Sequence, residues 1–199
     1  CHAAFGPDPS AVVLTDDGMT LHAGDAVITH VASAPGGGTG LSGFLRMLGL
    51  LQRRHPCHAL IVGAGDDATD WLEQRMAASC VDPQRTHFVS NPRPGGIADM
   101  LRVSAAHVHM GWPHCLDRSL LEAMACGCAM VVADELPVRE ILRHGINALL
   151  VDPRDSEGVA EAVLRLLDSP LLQASLRREA EAEIARSFDA GAAAIRYAR

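Results

Sequence analysis

The chain has 199 residues, of which 48% are hydrophobic and 21% are charged, and its formal net charge at pH 7 is −7. A chain of this length and composition predicts one globular core. The acidic balance argues against nucleic-acid binding and against attachment to a membrane surface, because both need a basic face. No apolar run approaches the roughly 20 residues that a membrane-spanning helix requires.

The basic and cysteine residues narrow the class of protein further. Arginine supplies all 17 basic side chains, and the sequence contains no lysine. The six cysteines form no Cys-x-x-Cys pair, and their spacing does not suggest a disulfide framework. Reduced thiols, with no basic-then-apolar signal segment, indicate a cytoplasmic protein. Because the first residue is Cys1 rather than methionine, we expect a fragment or a processed product.

Residues 1–25 differ in pattern from the rest of the chain. Pro7, Pro9 and Gly18 surround one short apolar run at residues 12–14. Such turn-forming residues predict a hairpin or a linker, which leads into a domain over residues 26–199.

Short apolar runs alternate with segments of helical period throughout that domain. The predicted strands are 27–32, 59–62, 86–90, 107–110, 129–133 and 148–151. The predicted helices are 41–54, 69–79, 97–103, 119–126, 137–144, 156–167 and 171–187. Because parallel strands need crossover connections, the alternation predicts a Rossmann-like three-layer α/β/α domain with a parallel sheet. In such sheets ligands bind at the carboxyl ends of the strands.

The loop after the first predicted strand contains P-G-G-G-T-G at residues 35–40, directly before the first helix. Backbone N–H groups of such a loop, together with the positive end of the helix, can bind a phosphate. A surface turn is the other interpretation, because the loop holds no basic residue.

The loop after the second strand has the G-x-G-x-x-A spacing of dinucleotide-binding sites, at residues 63–68. However, Asp66 and Asp67 would place negative charge where a pyrophosphate lies. The next strand ends at Ser90 and Asn91, without an acidic residue for a ribose. We therefore favour a tight strand-to-helix turn over an NAD or FAD site.

The loop after the fourth strand, residues 111–118, leads to Ser119 and Glu122 and leaves two interpretations open. In the first, Ser119-x-x-Glu122 is a capping box in which Glu122 satisfies backbone N–H groups of its own helix. In the second, Glu122 binds the hydroxyls of a ribose, N–H groups near Leu116 to Arg118 bind phosphate, and Arg118 adds a positive charge.

Histidines and cysteines around the same strand raise the question of a zinc site. These residues are His107, His109, His114, Cys115, Cys126 and Cys128. Their spacing matches no common zinc pattern, so we expect no metal. A Ser/His/Asp hydrolase is disfavoured too, because the sequence has no G-x-S-x-G elbow.

Three stretches of the second half carry a resemblance to a known family. They are S-L-L-E-A-M-A-C-G-C-A-M-V-V-A-D at 119–134, P-V-R-E-I at 137–141 and H-G-I-N-A-L-L-V-D-P-R-D at 144–155. These stretches resemble the carboxyl-terminal, donor-binding half of the group 1 (family four) glycosyltransferases of the GT-B fold. The upstream A-L-I-V-G-A-G at 59–65 fits the same family.

The resemblance implies a retaining, metal-independent transfer of a hexose from a nucleotide-diphosphate sugar to an unidentified acceptor. The nucleotide sugar is then a co-substrate, and no cofactor is expected. Members of the family bind the acceptor in an amino-terminal domain. That domain is missing from this chain, so we expect it as a partner.

The resemblance also implies roles for individual residues. Glu122 falls on the glutamate that holds the ribose, and His114 falls on the glutamate near the donor sugar, which makes it a candidate catalytic residue. The arginine and lysine that neutralise the diphosphate fall near Ser33 and Thr39. The further donor-binding residues are Gly37, Gly38 and Gly40 with Leu116, Asp117 and Arg118 for the diphosphate, and the backbone of Ser90 and Asn91 for the base.

Ser33 and Thr39 depart from the family pattern because neither carries a charge. Fixed cations stabilise a departing diphosphate, and removing one such contact commonly raises the barrier by a few kcal/mol. An alternative function is therefore a catalytically inactive glycosyltransferase-like module for binding or assembly.

Overall fold

The computed structural model describes residues 6–32, 39–63, 69–89, 96–110 and 116–188. The strands in these ranges are β1 (Val12–Leu14), β2 (Thr20–His22), β3 (Val27–Val31), β4 (His58–Val62), β5 (Thr86–Val89), β6 (Ala106–His109), β7 (Met130–Ala133) and β8 (Leu149–Val151). The α-helices are α1 (Thr39–Gln52), α2 (Thr69–Ala78), α3 (Gly96–Arg102), α4 (Arg118–Ala125), α5 (Ser156–Leu167) and α6 (Pro170–Phe188). Among these helices, none combines the length and the apolarity needed to cross a membrane.

Strands β3 to β8 form one six-stranded sheet in which all neighbours are parallel. The strand order is β5-β4-β3-β6-β7-β8. The chain thus moves outward from β3 to β5 and then returns to place β6 on the other side of β3. This order confirms the predicted Rossmann-like fold. The reversal between β3 and β6 is a topological switch point, where open parallel sheets bind their ligands.

Helices cover both faces of the sheet because its strands carry apolar side chains on both sides. On one face, α1 buries Phe44, Leu45 and Leu48 completely in a cluster that also includes residues of α5. On the other face, α4 buries Leu120 and Met124 completely against β7 and α3. Each such side chain contributes roughly 1.5–3 kcal/mol of transfer free energy. The sheet is therefore the middle of three layers.

The antiparallel pair β1–β2 packs on the side of this domain. Val13 and Leu21 point inward and are buried in a cluster with Leu60 of β4. The turn of the hairpin is attached to β5, since His87 Nδ1 donates a hydrogen bond to the Asp17 carboxylate at 3.0 Å. Burial of apolar side chains and one charged hydrogen bond thus fix the hairpin to the sheet.

The helix predicted over residues 137–144 is wrong, because the structure has only a short 3₁₀ helix at Leu136–Glu140. The Asn147 side chain provides the physical reason. Its Oδ1 accepts a hydrogen bond from Arg143 N at 2.7 Å, and its Nδ2 donates to Ile141 O at 2.9 Å. These bonds stabilise a turn at the point where the helix would have continued.

Two histidines are buried inside the sheet. His30 of β3 donates from Nδ1 to the Val108 carbonyl at 2.8 Å, and its ring stacks on Phe44 with centroids 4.7 Å apart. His107 of β6 pairs through Nδ1 with Thr29 Oγ1 at 2.9 Å. Burial lowers the pKa of His30 to about 4 and the pKa of His107 well below its ordinary value. Both histidines are therefore uncharged at neutral pH.

The start of α1 lies in direct contact with the end of β6. A Cβ atom added at Gly40 would fall on the carbonyl group of Met110, which follows β6. Only a residue without a side chain permits this approach. Gly40 therefore fixes the position of the first turn of α1 relative to the switch point.

We expect Gly40→Ala to lower the free energy of unfolding by about 1–3 kcal/mol, because the methyl group meets backbone atoms that cannot rotate away. Gly43→Ala is the matched control in the same helix, since its Cβ would meet nothing nearer than 3.8 Å. This control should be neutral or stabilising by up to about 1 kcal/mol. Urea denaturation measures both variants, and equal effects would contradict the contact.

We expect the protein to lose stability as the pH falls from about 7 to about 5. The unfolded chain protonates its histidines near the ordinary pKa of 6.5, whereas folded His30 protonates only near about 4. In that interval the unfolded state binds more protons, so the free energy of unfolding decreases as the pH falls. His30→Gln should weaken this dependence by about one proton.

Urea midpoints between about pH 7.5 and pH 5 provide the measurement, with His22→Gln as the control because His22 is exposed on β2. The comparison uses the slope of the urea midpoint against pH. A loss of stability in His30→Gln that is the same at every pH does not change this slope. A slope unchanged in His30→Gln would show that His30 does not carry the effect.

Candidate functional site

Two helices begin beside the carboxyl end of β6. The first turn of α1 contacts Met110 through Gly40. At the start of α4, the carboxylate oxygen Oδ1 of Asp117 lies 3.9 Å from Nε2 of His109, the last residue of β6. Each helix start carries the positive end of a helix dipole and amides without helical partners. Two positive helix ends therefore converge at the switch point, which is suited to an anionic ligand.

Some of the predicted site residues fall in this region and others lie outside the described residues. Those outside are Ser33, Gly37, Gly38, Ser90, Asn91 and His114. Thr39 and Gly40 are the first two residues of α1. Leu116 and Asp117 precede α4, Arg118 begins it and Glu122 lies one turn further on. The structure thus brings Gly40 and Asp117 to the same strand end.

The capping box considered for Ser119 and Glu122 is not formed. The N-cap of α4 is Asp117, whose Oδ1 accepts a hydrogen bond from Leu120 N at 3.1 Å. Ser119, inside the first turn, donates its hydroxyl to the same oxygen at 2.7 Å. Aspartate is among the strongest N-cap residues, and it stands two positions before the predicted cap. A carboxylate of the chain itself therefore occupies the start of α4.

Glu122 forms an ion pair within α4. Its Oε1 accepts a hydrogen bond from Arg118 Nε at 2.6 Å. The Glu122 side chain is only 12% exposed, whereas that of Arg118 is 86% exposed. An ion pair with one fully solvated partner contributes little to stability. Arg118 can therefore be exchanged for another hydrogen-bond donor, such as a sugar hydroxyl, at small cost.

A second pair of charges stands after β7. Arg139 donates to both carboxylate oxygens of Asp134, at 2.6 and 2.8 Å. These hydrogen bonds hold the pKa of the Asp134 carboxyl below its ordinary value. The guanidinium of Arg139 is thus committed to a carboxylate, as is that of Arg118.

The histidine and cysteine cluster does not form a metal centre in the part of the chain that the structure describes, where no group of three potential ligands occurs. The rings of His107 and His109 are tilted, with centroids 6.1 Å apart. Burial raises the pKa of the Cys126 thiol to about 12 and that of Cys128 still further. Both cysteines are therefore protonated. His114 and Cys115 lie outside the described residues.

The glycine motif at residues 63–68 begins with a constrained residue. Gly63 has a φ of 81°, a conformation that other residues rarely adopt. Its N–H donates to the Val89 carbonyl at 3.0 Å. The positive φ that the turn requires explains this glycine. Residues 64–68 lie outside the described residues.

A cavity of about 540 Å³ lies at the opposite, amino-terminal edge of the sheet. Ala26, Ala105 and Gly127 line it, and each stands just before β3, β6 or β7. Arg177 of α6 also lines it and donates to the Ser104 carbonyl at 3.0 Å. The sheet thus separates this cavity from the switch point.

Two features near the switch point were missed by sequence reasoning. His30 was not identified, although a histidine inside a run as apolar as V-I-T-H-V at 27–31 is a recognisable signal. Asp117 was assigned to phosphate binding and not to helix capping. An aspartate three residues before Leu120, the first apolar residue of the helix, was the signal that could have identified the cap.

Comparison with solved structures places the fold. The chain aligns with sucrose-phosphate synthase from Thermosynechococcus elongatus at a TM-score of 0.79 and 18% identity, over 99% of this chain and 49% of that one. It aligns with the carboxyl-terminal domain of the group 1 glycosyl transferase LpcC from Francisella tularensis at a TM-score of 0.76 and 17% identity. That alignment covers 95% of this chain and 98% of the LpcC domain. It aligns with Anabaena Alr3699/HepE, solved in complex with UDP-glucose, at a TM-score of 0.72 and 22% identity. That alignment covers 88% of this chain and 48% of HepE.

These TM-scores establish a common fold. The chain spans about half the length of the synthase and of HepE, and nearly the whole of the LpcC domain. No curated protein matches the chain. A family model described as glycosyl transferases group 1 matches residues 25–169, a range that runs from the start of β3 through α5. That match covers most of the chain, and the protein therefore belongs to the group 1 glycosyltransferases, with the fold of one Rossmann-like half of a GT-B enzyme.

Proposed function

We propose that the chain is the donor-binding half of a glycosyltransferase that transfers a hexose from a nucleotide-diphosphate sugar to an acceptor, with retention of the anomeric configuration. The family match over residues 25–169 is the observation that carries the proposal. In the reaction, the bond between the sugar C1 and the diphosphate oxygen breaks. A bond forms from C1 to an acceptor oxygen, and the nucleoside diphosphate leaves with the bonding electrons. The proton of the acceptor hydroxyl passes to the departing diphosphate or to water.

The diphosphate is assigned to the space between the starts of α1 and α4. In this proposal the amides of residues 36–40 and of Leu116 to Arg118 bind the diphosphate, together with the dipoles of the two helices. Ser33 and the loop glycines Gly37 and Gly38 belong to the same assignment, as does Thr39. Both helix starts contact the end of β6, which supports this placement.

The ribose is assigned to Glu122. Its carboxylate is largely buried and aligned by Arg118, and one turn separates it from the start of α4. Two sugar hydroxyls donating to a carboxylate form charge-assisted hydrogen bonds, which are stronger than neutral ones. The exposed guanidinium of Arg118 can move into solvent when the ribose binds.

The base and the transferred sugar are assigned to the loops that follow β5 and β6. The backbone of Ser90 and Asn91, after β5, faces the base in this proposal, and His114, after β6, stands near the sugar as the candidate catalytic residue. The acceptor binds in an amino-terminal domain on another part of the enzyme. A metal ion is not required in this scheme.

We expect the chain to bind UDP-glucose and Glu122→Gln to bind it at least about tenfold more weakly, because a hydrogen bond to a charged group contributes about 1.5–3 kcal/mol. Arg118→Gln is the matched control, since it breaks the same ion pair and keeps the carboxylate. This control should bind UDP-glucose more tightly than Glu122→Gln, because it keeps the carboxylate that accepts from the ribose.

Isothermal titration calorimetry measures these affinities, and GDP-glucose and ADP-glucose titrated in parallel identify the preferred base. Thermal unfolding of each variant checks that the fold is retained. Absence of binding at millimolar concentrations of all three nucleotide sugars would refute the donor-binding function. Equal affinities of Glu122→Gln and the unmodified chain would refute the ribose assignment alone.

A further inference from the structure

Two arginines that follow β6 and β7 are paired with carboxylates. Arg118 is paired with Glu122, and Arg139 is paired with Asp134. Asp117 adds a negative charge at the start of α4, the position at which an anionic ligand would bind. A nucleotide sugar brings two more negative charges in its diphosphate. Positive charge beyond that of the two helix dipoles would therefore strengthen binding.

His109 is positioned to supply that charge. It is the last residue of β6, its side chain is 1% exposed, and its Nε2 lies 3.9 Å from Asp117 Oδ1. A carboxylate at this distance stabilises a positively charged imidazolium but not an uncharged imidazole ring. A diphosphate bound at the start of α4 would add to that stabilisation.

The other titratable groups around His109 cannot take the same role. His107 on its own strand and His30 on β3 are buried, and burial together with the neighbouring histidine rings lowers the pKa of each. On β7 no side chain titrates, and Glu122 of α4 is already paired. The charged side chains of α1 and α5 are exposed on the outer surface: Arg46, Glu157, Glu161 and Arg165.

We infer that His109 takes up a proton when the site binds a nucleotide-diphosphate sugar, and that the imidazolium neutralises Asp117 beside the diphosphate. The inference rests on the proposed function, and it assigns to His109 the charge that Ser33 and Thr39 do not carry. The proton comes from solvent or buffer and returns there when the ligand leaves. No covalent bond changes in this step.

Proton uptake is measured directly by titrating UDP-glucose into the full 199-residue chain in buffers of different ionisation enthalpy. The phosphates of UDP-glucose do not titrate near neutral pH, so any proton exchanged belongs to the protein. We expect uptake to approach about one proton near pH 8, because that pH lies well above the ordinary pKa of histidine. The affinity should rise by up to about tenfold for each pH unit between about pH 8 and pH 6.

Two variants separate charge from structure. His109→Gln should abolish the uptake and leave an affinity that varies little with pH. Asp117→Asn keeps a good N-cap residue and removes the charge, so it should bind UDP-glucose more tightly than the unmodified chain at about pH 8 and take up less of a proton. His22→Gln, an exposed histidine on the hairpin, should leave uptake and affinity unchanged.

The outcomes distinguish this inference from the proposed function. Binding of UDP-glucose without proton uptake would overturn the role of His109 and leave the donor-binding function intact. Proton uptake that persists in His109→Gln would also overturn the role of His109 alone. Weaker binding of UDP-glucose by Asp117→Asn at about pH 8 would do the same. Absence of binding at every pH would overturn both. Because Asp117→Asn does not disturb the buried strand, the test remains decisive if His109→Gln fails to fold.

Discussion

The contact of Gly40 with the Met110 carbonyl determines how the rest of the site is built. It brings the first turn of α1 to the end of β6, and the Asp117 cap of α4 lies near His109 at that same end. The strand order makes this convergence possible, because β3 and β6 are neighbours in the sheet although α1, α2 and α3 separate them in the chain. A side chain at position 40 would move one helix dipole away from the other.

Charge balance is the second constraint on this region. Arg118 and Arg139 are paired with carboxylates, so the helix ends carry much of the positive potential. Helix ends alone contribute about 0.3–1 kcal/mol for each charge at exposed positions and up to about 2 kcal/mol when partly buried. Those values are smaller than the effect of a fixed cation in a site closed to water. Under the proposed function, these magnitudes favour binding of a diphosphate over stabilisation of its departure.

Most of the fold could be predicted from the sequence, because strands buried on both faces appear as apolar runs whatever their surroundings. The strands β3 to β8 all lie where such runs predicted them. The helix predicted over residues 137–144 is wrong, because the conformation of this segment depends on Asn147. That residue lies outside the segment, and its side chain forms hydrogen bonds with the backbone of the segment. Propensity within a window does not contain that information.

The candidate site was predictable in part. The strand ends and the helix carrying Glu122 follow from the alternation of elements, and the family resemblance assigned the roles. The cap of α4 could not be resolved, because Asp117 and Ser119 both suit the position and the hydroxyl of Ser119 turns toward Asp117 only in the fold. His30 is explained by its stacking on Phe44, a contact between two elements that the sequence does not reveal. The roles of Ser33, Ser90, Asn91 and His114 stay predictions.

The Asp117 cap has a consequence for selectivity. A carboxylate tethered at the start of α4 competes with every free anion, and tethering by a short segment corresponds to an effective concentration of the order of millimolar or higher. Free inorganic phosphate or sulfate, which gains only the helix-start contacts, competes poorly against such an internal occupant. An anion joined to further groups that bind elsewhere in the crevice can still bind beside it. The cap therefore acts as a filter that favours large, multiply anchored ligands over the simple anions present in any solution.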